Sequence, residues 1–252
     1  MTVALLNHIS ILLVRAENPA NIGQVARAMN NFGLTNLRLV NSVPHRVQEA
    51  YTLGWNAKHV LEEALIFSSL QEAMEDTVLT LGFTRRSGHA RGEPRPFLEV
   101  LRNLMETAAD HKVALVFGNE KNGLSNDELR LCHLPVALPT YSEHGSLNLS
   151  HAVAIASFLI FNQIPESGPA LRKPERFYAT QAELEDLISD FKEVLESLDY
   201  QDLPLNDLLT RTLNNLRRLF KKAGIERREY HLFKAFLSRI EQKRIHGDLK
   251  SN

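Results

Sequence analysis

Two stretches near the middle of the chain decide the fold: VALVFGNEKNGLS, residues 113–125, and LPTYSEHGSLNLSHAVAIASFLIF, residues 138–161. The first opens with an unbroken apolar run, Val113 to Phe117, which predicts a buried strand. The strand ends at Gly118, and a second glycine, Gly123, closes a loop that is too polar for a core. The sequence therefore predicts a buried strand that leads into a polar loop bounded by two glycines.

A helix start follows each of two strand ends. Ser125, with Glu128 three residues on, predicts a capping box ahead of a short helix. A second extended run, 136–138, is ended by Pro139, and a long apolar helix is predicted to open at Ser146. Polar loops between strand ends and helix starts are where ligands commonly bind in α/β sheets.

The first two thirds of the chain alternate between strand and helix patterns. Strands are predicted at 9–14, 37–40 and 77–81, and helices from Ala20 or Asn21 to about 31, at 47–53, at 70–74 and at 97–109. Alternation at these spacings favours an α/β fold with a mostly parallel sheet.

The character of the sequence changes after Phe161. Residues 164–180 hold three prolines and no hydrophobic periodicity, which indicates a linker. Only helical patterns follow, at 181–198, 205–222 and 227–243. We therefore expect a domain over residues 1–163, a linker over 164–180 and a helical C-terminal domain over 181–252.

Charge is separated sharply within the helical part. Residues 183–202 carry eight acidic side chains against one lysine, whereas residues 205–250 carry twelve Lys and Arg against five acids. The formal net charge of the whole chain, −1, hides this separation. A basic helical face is suited to binding phosphates. The alternative is a small bundle in which the basic helices pair with their acidic neighbour.

Composition excludes several classes of protein. The single cysteine, Cys132, excludes an internal disulfide and is expected to be a buried structural thiol. No signal-peptide pattern opens the chain, and the longest apolar run, 152–161, is about half a membrane span. A soluble, cytoplasmic protein is expected, with no membrane partner.

Several common catalytic motifs are missing from the sequence. It contains no G-x-G-x-x-G after a strand, no P-loop and no G-x-S-x-G nucleophile elbow. The ten histidines are scattered, and His133 and His151 are expected to be packing or surface residues. No metal site is predicted.

Three polar segments at strand ends stand instead in the order N-x-G-x-x-x-R, G-x-E-x-x-G-L and S-L-N-L. The residues that carry them are Asn21, Gly23 and Arg27, then Gly118, Glu120, Gly123 and Leu124, then Ser146, Leu147, Asn148 and Leu149 after the strand-ending Pro139. In this order the segments resemble the three motifs of the SpoU (TrmH) branch of the SPOUT RNA 2′-O-methyltransferases. The resemblance extends over nearly the whole chain, except the linker, to members that methylate tRNA.

The resemblance implies a deep trefoil knot at the end of the catalytic domain, which spacing alone does not predict. It also implies that S-adenosylmethionine binds among the knot loops. The implied donor contacts are Phe83, Thr84, Arg85, Gly118, Leu138, Gly145, Ser146 and Leu147. The family works as a homodimer, and the apolar helix 147–161 is compatible with burial on two sides, although a helix inside one domain would look the same.

The implied catalytic residues are Arg27, Asn21, Glu120, Ser146 and Asn148. Family mechanisms give Arg27 the role of base or hydroxyl activator. Because a guanidinium stays protonated in proteins, stabilising the developing alkoxide or gripping a phosphate suits Arg27 better. The other four residues would hold the ribose and the loops in place.

The substrate implied is tRNA, methylated on the ribose of cytidine or uridine at the start of the anticodon loop, position 32; DNA is not expected to bind. Candidate RNA contacts are Arg86, Arg91, Arg95, Arg217, Arg218, Lys221 and Lys222. Ribosomal RNA methylation is an alternative, since the branch shares the three motifs. A non-catalytic RNA-binding protein is another, because His144-Gly145 and the GFTRRS loop from Gly82 depart from the usual donor-loop residues.

Overall fold

The computed structural model describes residues 2–86, 93–141, 146–164, 177–200 and 207–248. The chain forms two compact units, residues 1–170 and 171–252. Most of the predicted linker, residues 165–176, lies outside the described residues, so its bounds remain a prediction.

A seven-stranded, wholly parallel sheet forms the centre of the first unit. Its order is β3-β2-β1-β6-β4-β7-β5. The strands are β1 (Ile9–Val14), β2 (Asn36–Val40), β3 (Leu65–Phe67), β4 (Leu79–Phe83), β5 (Arg95–Pro96), β6 (Val113–Phe117) and β7 (Leu134–Ala137). Every residue of β1, β4 and β6 is buried, because these strands lie inside the sheet and are covered on both faces. The predicted α/β class is confirmed.

Helices connect and cover the strands. In the first unit they are α1 (Thr2–Asn7), α2 (Pro19–Asn31), α3 (Gln48–Gly54), α4 (Lys58–Glu62), α5 (Leu70–Met74), α6 (Phe97–Ala108), α7 (Asn126–Leu131) and α8 (Leu149–Phe161), with a 3₁₀ turn at Trp55–Ala57 between α3 and α4. In the second unit they are α9 (Gln181–Ser197), α10 (Leu208–Ala223) and α11 (Arg227–Asp248). No helix in the described parts of the chain is long and apolar enough to span a membrane.

The third predicted strand is displaced by two residues. Thr77 closes the turn after α5, since its N–H and its hydroxyl both donate to the Met74 carbonyl. β4 therefore starts at Leu79, opposite Val113, and extends to Phe83, which the sequence had assigned to a loop. The short strands β3 and β5 were not predicted, because both lie at sheet edges and lack a buried apolar run.

Helix caps correct two predicted starts and confirm one. The Asn18 side chain accepts from the Ala20 N–H at 2.8 Å, so α2 begins at Pro19. Asn148 caps α8 by accepting from the Ser150 N–H at 2.9 Å, and the predicted start at Ser146 is wrong by three residues. The capping box predicted at the start of α7 is present.

The second unit is a three-helix bundle with its own apolar core. Leu187 and Phe220 are among its buried residues. Residues 177–180, which the sequence assigned to the linker, belong to this unit: Ala179 is buried and its N–H donates to the Ile225 carbonyl at 2.8 Å. This short pairing joins the segment before α9 to the turn before α11.

The separated charges of the second unit pair with each other. Arg217 on α10 bonds to Glu185 on α9 at 2.9 Å. Lys234 on α11 lies 2.8 Å from Asp186 and 2.7 Å from Asp190, and these contacts raise the Lys234 pKa although burial opposes the shift. Part of the basic surface therefore pairs with the acidic helix α9, as the alternative interpretation of the charge pattern predicted.

Candidate active site

Asn21 joins the three sequence motifs. Its side-chain Nδ2 donates to Glu120 Oε1 at 3.0 Å, and its Oδ1 accepts from Asn148 Nδ2 at 3.3 Å. Asn21 is 8% exposed, so both bonds are partly buried on its side. One amide thus ties the start of α2 to the loop after β6 and to the cap of α8.

Glu120 makes a second connection with its other oxygen. Oε2 accepts from the backbone N–H of Glu17 at 3.1 Å, in the segment between β1 and α2. The Glu17 side chain in turn pairs with Lys121 at 2.9 Å, and this contact lowers the Glu17 pKa. The loop after β1 and the loop after β6 are therefore bonded side by side, as expected for neighbouring parallel strands.

Asn119 shapes the loop after β6 from within. It is buried, and its Oδ1 accepts from the backbone N–H groups of Lys121, at 2.8 Å, and Asn122, at 3.2 Å. Its Nδ2 donates to the Arg15 carbonyl at 2.9 Å. Glu120 is thus held in a tight turn whose backbone donors are satisfied by a side chain.

The two glycines of this loop have different reasons to be glycine. A Cβ on Gly118 would lie 2.1 Å from the carbonyl carbon of Gly123 and 2.2 Å from the nitrogen of Leu124. Gly123 has open space around it but a φ of +62°, in the left-handed region. The predicted glycine-bounded loop is therefore required by packing at one end and by backbone conformation at the other.

Arg15, which the sequence analysis missed, braces the same loop. Its guanidinium donates to both carboxylate oxygens of Glu128 at 2.8 Å and to the Gly123 carbonyl at 3.2 Å. Burial raises the pKa of Glu128, but the bonds from Arg15 and from the Ser125 backbone outweigh it and lower that pKa overall. No spacing rule links Arg15 to a carboxylate 113 residues away.

Gln24 and Ser150 extend the network on the α8 side and were also not predicted. Ser150 Oγ lies 2.8 Å from Asn148 Oδ1 and 2.8 Å from Gln24 Oε1. Ser150 is buried, whereas Asn148 and Ser146 are exposed. The buried network therefore fixes the cap of α8 and leaves its outer polar groups accessible.

Arg27 lies on α2, six residues after Asn21, and is exposed. Within the described residues it has no hydrogen-bond or ion-pair partner. On the same helix, a Cβ on Gly23 would lie 2.2 Å from the Ala50 carbonyl oxygen, so the motif glycine lets α2 pack closely on α3. The guanidinium is available to an external anion.

A family model described as the SpoU rRNA methylase family matches residues 8–158, more than half of the chain. The chain belongs to the SpoU rRNA methylase family. The match spans the sheet, all three motifs and most of α8.

Individual proteins resemble this SpoU methylase over nearly its full length. It is 36% identical to the tRNA (cytidine/uridine-2′-O-)-methyltransferase TrmJ of Salmonella typhimurium over 95% of this chain and 98% of that protein. The TrmJ of Yersinia enterocolitica is 35% identical over 95% of this chain and 93% of its own length. Among solved structures, TrmJ from Z. mobilis superposes with a TM-score of 0.75 at 28% identity, covering 92% of this chain and 98% of that one.

The predicted donor loops of this SpoU methylase follow strands that lie side by side. Thr84 and Arg85 follow β4, Gly118 follows β6 and Leu138 follows β7, and these three strands are neighbours in the order β6-β4-β7. The Thr84 N–H donates to the Val136 carbonyl at 2.9 Å. The loops therefore start together at one edge of the sheet.

Two predicted donor contacts stay predictions, one at the end of a strand and one outside the described residues. Phe83 is the buried last residue of β4, and its ring stacks on Phe117 at 4.3 Å between centroids. Its role in donor binding stays a prediction. Gly145 falls in residues 142–145, which the structure does not describe; the predicted knot also depends on this segment and stays a prediction.

The predicted RNA contacts of the first unit fall into three groups. Arg86 is exposed, and Arg95 is exposed but lies 3.7 Å from Glu99 in a surface pair. Arg91 lies outside the described residues.

Two of the four predicted RNA contacts of the second unit need correction. Arg218 and Lys222 are exposed, as expected for RNA contacts. Arg217 instead pairs with Glu185, and Lys221 is only 6% exposed, so neither presents an open charge to solvent from α10. Helical periodicity alone does not reveal which basic residues face an acidic neighbour.

The cysteine and histidine expectations hold for the residues that can be described. Cys132 is buried directly after α7, is not in a disulfide, and its thiol donates to the Glu128 carbonyl at 3.4 Å. His133 Nδ1 accepts from the Thr80 N–H at 3.1 Å, in a packing role. Across the described ranges no cluster of His, Cys, Asp and Glu is arranged to hold a metal ion.

Proposed function

We propose that this SpoU methylase transfers the methyl group of S-adenosylmethionine to the ribose 2′-hydroxyl of cytidine or uridine in tRNA, at the start of the anticodon loop, position 32. The observation that carries the proposal is the buried Asn21 junction, which unites Glu120 and Asn148. Asn21 lies on the same helix as Arg27, whose guanidinium has no partner among the described residues. Identity of 36% to a tRNA (cytidine/uridine-2′-O-)-methyltransferase along 95% of the chain supports the substrate.

The residues present fit the methyl donor. The partly exposed residues that follow three adjacent strands, Thr84, Gly118 and Leu138, together with Leu147 offer both polar groups and an apolar surface to an adenosine. Thr84, Arg85, Gly118, Leu138, Gly145, Ser146 and Leu147 would hold it in the knotted loops. When bound, the donor supplies an activated sulfonium methyl group, so the protein's tasks are to orient the hydroxyl and stabilise its charge.

Arg27 takes the electrostatic role. As the 2′-hydroxyl releases its proton to water, negative charge develops on the ribose oxygen. A guanidinium remains protonated at physiological pH and presents a planar fork of N–H donors to that oxygen or to the flanking phosphate. Because Arg27 has no partner within the described residues, it does not have to break an internal bond before it contacts RNA.

The junction residues position the ribose and the loops. Ser146 and Asn148 are exposed just before α8 and can reach the nucleotide, although Asn148 also bonds to Asn21 and Ser150. Asn21 is buried and Glu120 is partly buried, and both are bonded to other protein groups. We therefore assign substrate contact to Ser146 and Asn148, and loop positioning to Asn21 and Glu120.

We further propose that the protein acts as a homodimer in the cytoplasm, where tRNA is modified. Phe158 and Phe161, both about half exposed on α8, pack against Phe32 with ring centroids 5.8 and 5.9 Å apart. An aromatic patch of this kind is suited to burial against a second subunit. Arg86, Arg95, Arg218 and Lys222 remain as exposed cations that can contact tRNA phosphates.

The test is methyl transfer from labelled S-adenosylmethionine to unmodified tRNA transcripts, with mass spectrometry to locate the modified nucleotide. We expect a 2′-O-methyl group at the start of the anticodon loop, absent with Arg27→Ala and retained with Arg102→Ala, a matched change on the exposed face of α6. Methyl transfer to ribosomal RNA but to no tRNA would show that the substrate is ribosomal RNA and not tRNA. Failure to bind the donor at all would indicate a non-catalytic RNA-binding protein.

A further inference from the structure

Trp55 is exposed to an unusual degree for its type. It begins the 3₁₀ turn between α3 and α4, and 75% of its surface is accessible. Tryptophan is highly buried on average in folded proteins, because its ring is the largest apolar side-chain surface. The ring therefore contributes little to the core and presents an apolar face to solvent.

The backbone on both sides of Trp55 is fixed against α2. A Cβ on Gly54 would lie 3.4 Å from the Gly23 carbonyl oxygen. On the other side, the Asn56 carbonyl accepts from Asn30 Nδ2 at 3.3 Å. Trp55 therefore lies alongside the part of α2 between Gly23 and Asn30.

Arg27 belongs to that same part of α2. Its spacing of four from Gly23 and three from Asn30 puts all three residues along one helical face. Since Gly23 and Asn30 both contact the segment that contains Trp55, Arg27 and Trp55 lie on adjoining surface. Both are exposed.

A further cation follows within one turn. Lys58 is exposed, and its Nζ lies 5.5 Å from the centroid of the Tyr51 ring. Its ion pair with Glu62, at 3.6 Å, is between exposed side chains and therefore weak. The surface strip of Arg27, Trp55 and Lys58 combines a flat aromatic face with two positive charges.

This combination matches the chemistry of an unpaired nucleotide. Single-stranded RNA is bound by stacking its bases on aromatic rings while cations contact the phosphates. We propose that Trp55 is a stacking platform for an unpaired base of the RNA substrate, next to the nucleotide whose ribose Arg27 contacts. The proposal rests on the RNA methyltransferase function proposed above and adds a base-binding site to it.

The sequence supplies a direct reporter, because Trp55 is the only tryptophan of the chain. Titration of the full-length protein with unmodified tRNA transcript should quench tryptophan emission, and the quenching should saturate at the affinity measured by filter binding. RNA binding without any change in emission would overturn the stacking proposal and leave the methyltransferase function intact. The absence of RNA binding would instead count against the function.

Abasic substrates separate base stacking from backbone binding. Transcripts carrying one abasic nucleotide at a time through the anticodon loop keep every phosphate but lose one base. We expect one position, beside the methylated nucleotide, at which most of the quenching is lost. Equal quenching by every abasic substrate would overturn the proposal.

Substitutions complete the test. Trp55→Ala should weaken tRNA affinity by roughly 5- to 150-fold, the fold-change equivalent to about 1–3 kcal/mol of base–aromatic stacking, while donor affinity stays unchanged. Trp55→Phe should recover most of the tRNA affinity. Ile66→Ala, a change of a similarly exposed apolar residue on β3, should have no effect on it. A shift of Trp55→Ala from dimer to monomer in sedimentation would assign Trp55 to a subunit contact and overturn the proposal.

Discussion

The guanidinium of Arg15 and the carboxylate of Glu128 form a two-pronged ion pair, Nε to Oε1 and Nη2 to Oε2, each at 2.8 Å. The pair connects the end of β1 to the first turn of α7. It spans the loop that carries Glu120, and Arg15 also donates to the Gly123 carbonyl within that loop. Glu128 thus serves both the helix cap and the brace.

Arg15→Ala should loosen the loop after β6. Paired charges in this geometry are worth about 1 kcal/mol at a partly exposed site, so the free energy of unfolding should fall by roughly that amount. Backbone amides of residues 119–124 should exchange hydrogen faster, because their brace is gone. Arg102→Ala, which breaks the exposed pair with Glu106, is the control. Equal exchange in the two variants would show that Arg15 does not brace the loop.

Arg27→Lys tests the proposed electrostatic role. The substitution keeps the positive charge but removes the planar fork, so turnover should fall by about two orders of magnitude if two N–H groups act together. Since Arg27 is exposed and unpaired within the described residues, the free energy of unfolding should change by less than about 0.5 kcal/mol. Single-turnover rates and urea unfolding measure the two quantities. Near-normal turnover of this variant would exclude a bidentate role.

Gly23→Ala and Gly123→Ala should both lower the free energy of unfolding, but for different reasons and by different amounts. A Cβ on Gly23 would meet the Ala50 carbonyl oxygen at 2.2 Å, so α2 must move away from α3 and unfolding should be easier by about 1–3 kcal/mol or more. Gly123 has free space, and alanine there costs about 1–2 kcal/mol for its left-handed φ alone. The affinity for tRNA should suffer more from Gly23→Ala, because Arg27 and Trp55 move with α2. Equal losses in tRNA affinity would contradict this account.

Asp76 should make the free energy of unfolding depend on pH in the acidic range. Burial raises its pKa, but hydrogen bonds from Arg38 and Lys112 outweigh that effect and lower the pKa from 3.8 to about 2. A depressed pKa stabilises the fold above the unfolded value, and this contribution is lost as pH falls from about 4 towards 2. The Asp76 side chain is 41% exposed, so the contribution is well below its unscreened value.

The matching variant is Asp76→Asn, measured by urea unfolding at pH 7 and pH 3. It leaves the buried Arg38 guanidinium without an anionic partner, and we expect about 1–3 kcal/mol of lost stability at pH 7. The difference from the parent protein should shrink at pH 3. Asp127→Asn, which removes a partner of Arg130 at the surface, should show neither effect. A loss of stability that is the same at both pH values would refute the assignment.

Arg217 and Arg218 should separate structural charge from RNA-binding charge on α10. Arg217 bonds to Glu185, so Arg217→Ala should lower the stability of the helical unit and leave the salt dependence of tRNA binding unchanged. Arg218 is exposed, so Arg218→Ala should reduce the slope of log affinity against log salt by about one. Filter binding over a range of salt concentrations gives both slopes. The reverse result would show that the Glu185 pair opens on RNA binding.

Local sequence signals were sufficient for much of the fold. The apolar runs Ile9–Val14 and Val113–Phe117 match β1 and β6 at both ends, because buried central strands are unbroken in hydrophobicity. The Ser125–Glu128 capping box also formed as predicted. Edge strand β3 escaped prediction because two of its three residues are exposed and pattern alone does not mark them as a strand.

The sequence predicted the main residues of the candidate site but not the hydrogen bonds that connect them. Motif order identified Asn21, Glu120 and Asn148, and the structure brings the three together. Arg15, Gln24 and Ser150 were missed, since each acts through a partner more than a hundred residues away that no periodicity connects to it. The sequence placed Phe83 in a loop, whereas it is the last residue of β4. The end of this strand is set by pairing with β6 and β7, which the local sequence does not show.

The Asn21 junction also has a consequence for biosynthesis. Its two bonds join residues that are 99 and 127 positions apart in the sequence. Forming them costs loop-closure entropy, so we expect them to form only together with the rest of the sheet. A ribosome releases Asn21 long before Asn148 is made. The growing chain therefore cannot assemble the junction early, and a product truncated before Asn148 would be unable to complete it. The complete site can therefore form only after translation has passed the third motif, which contains Asn148.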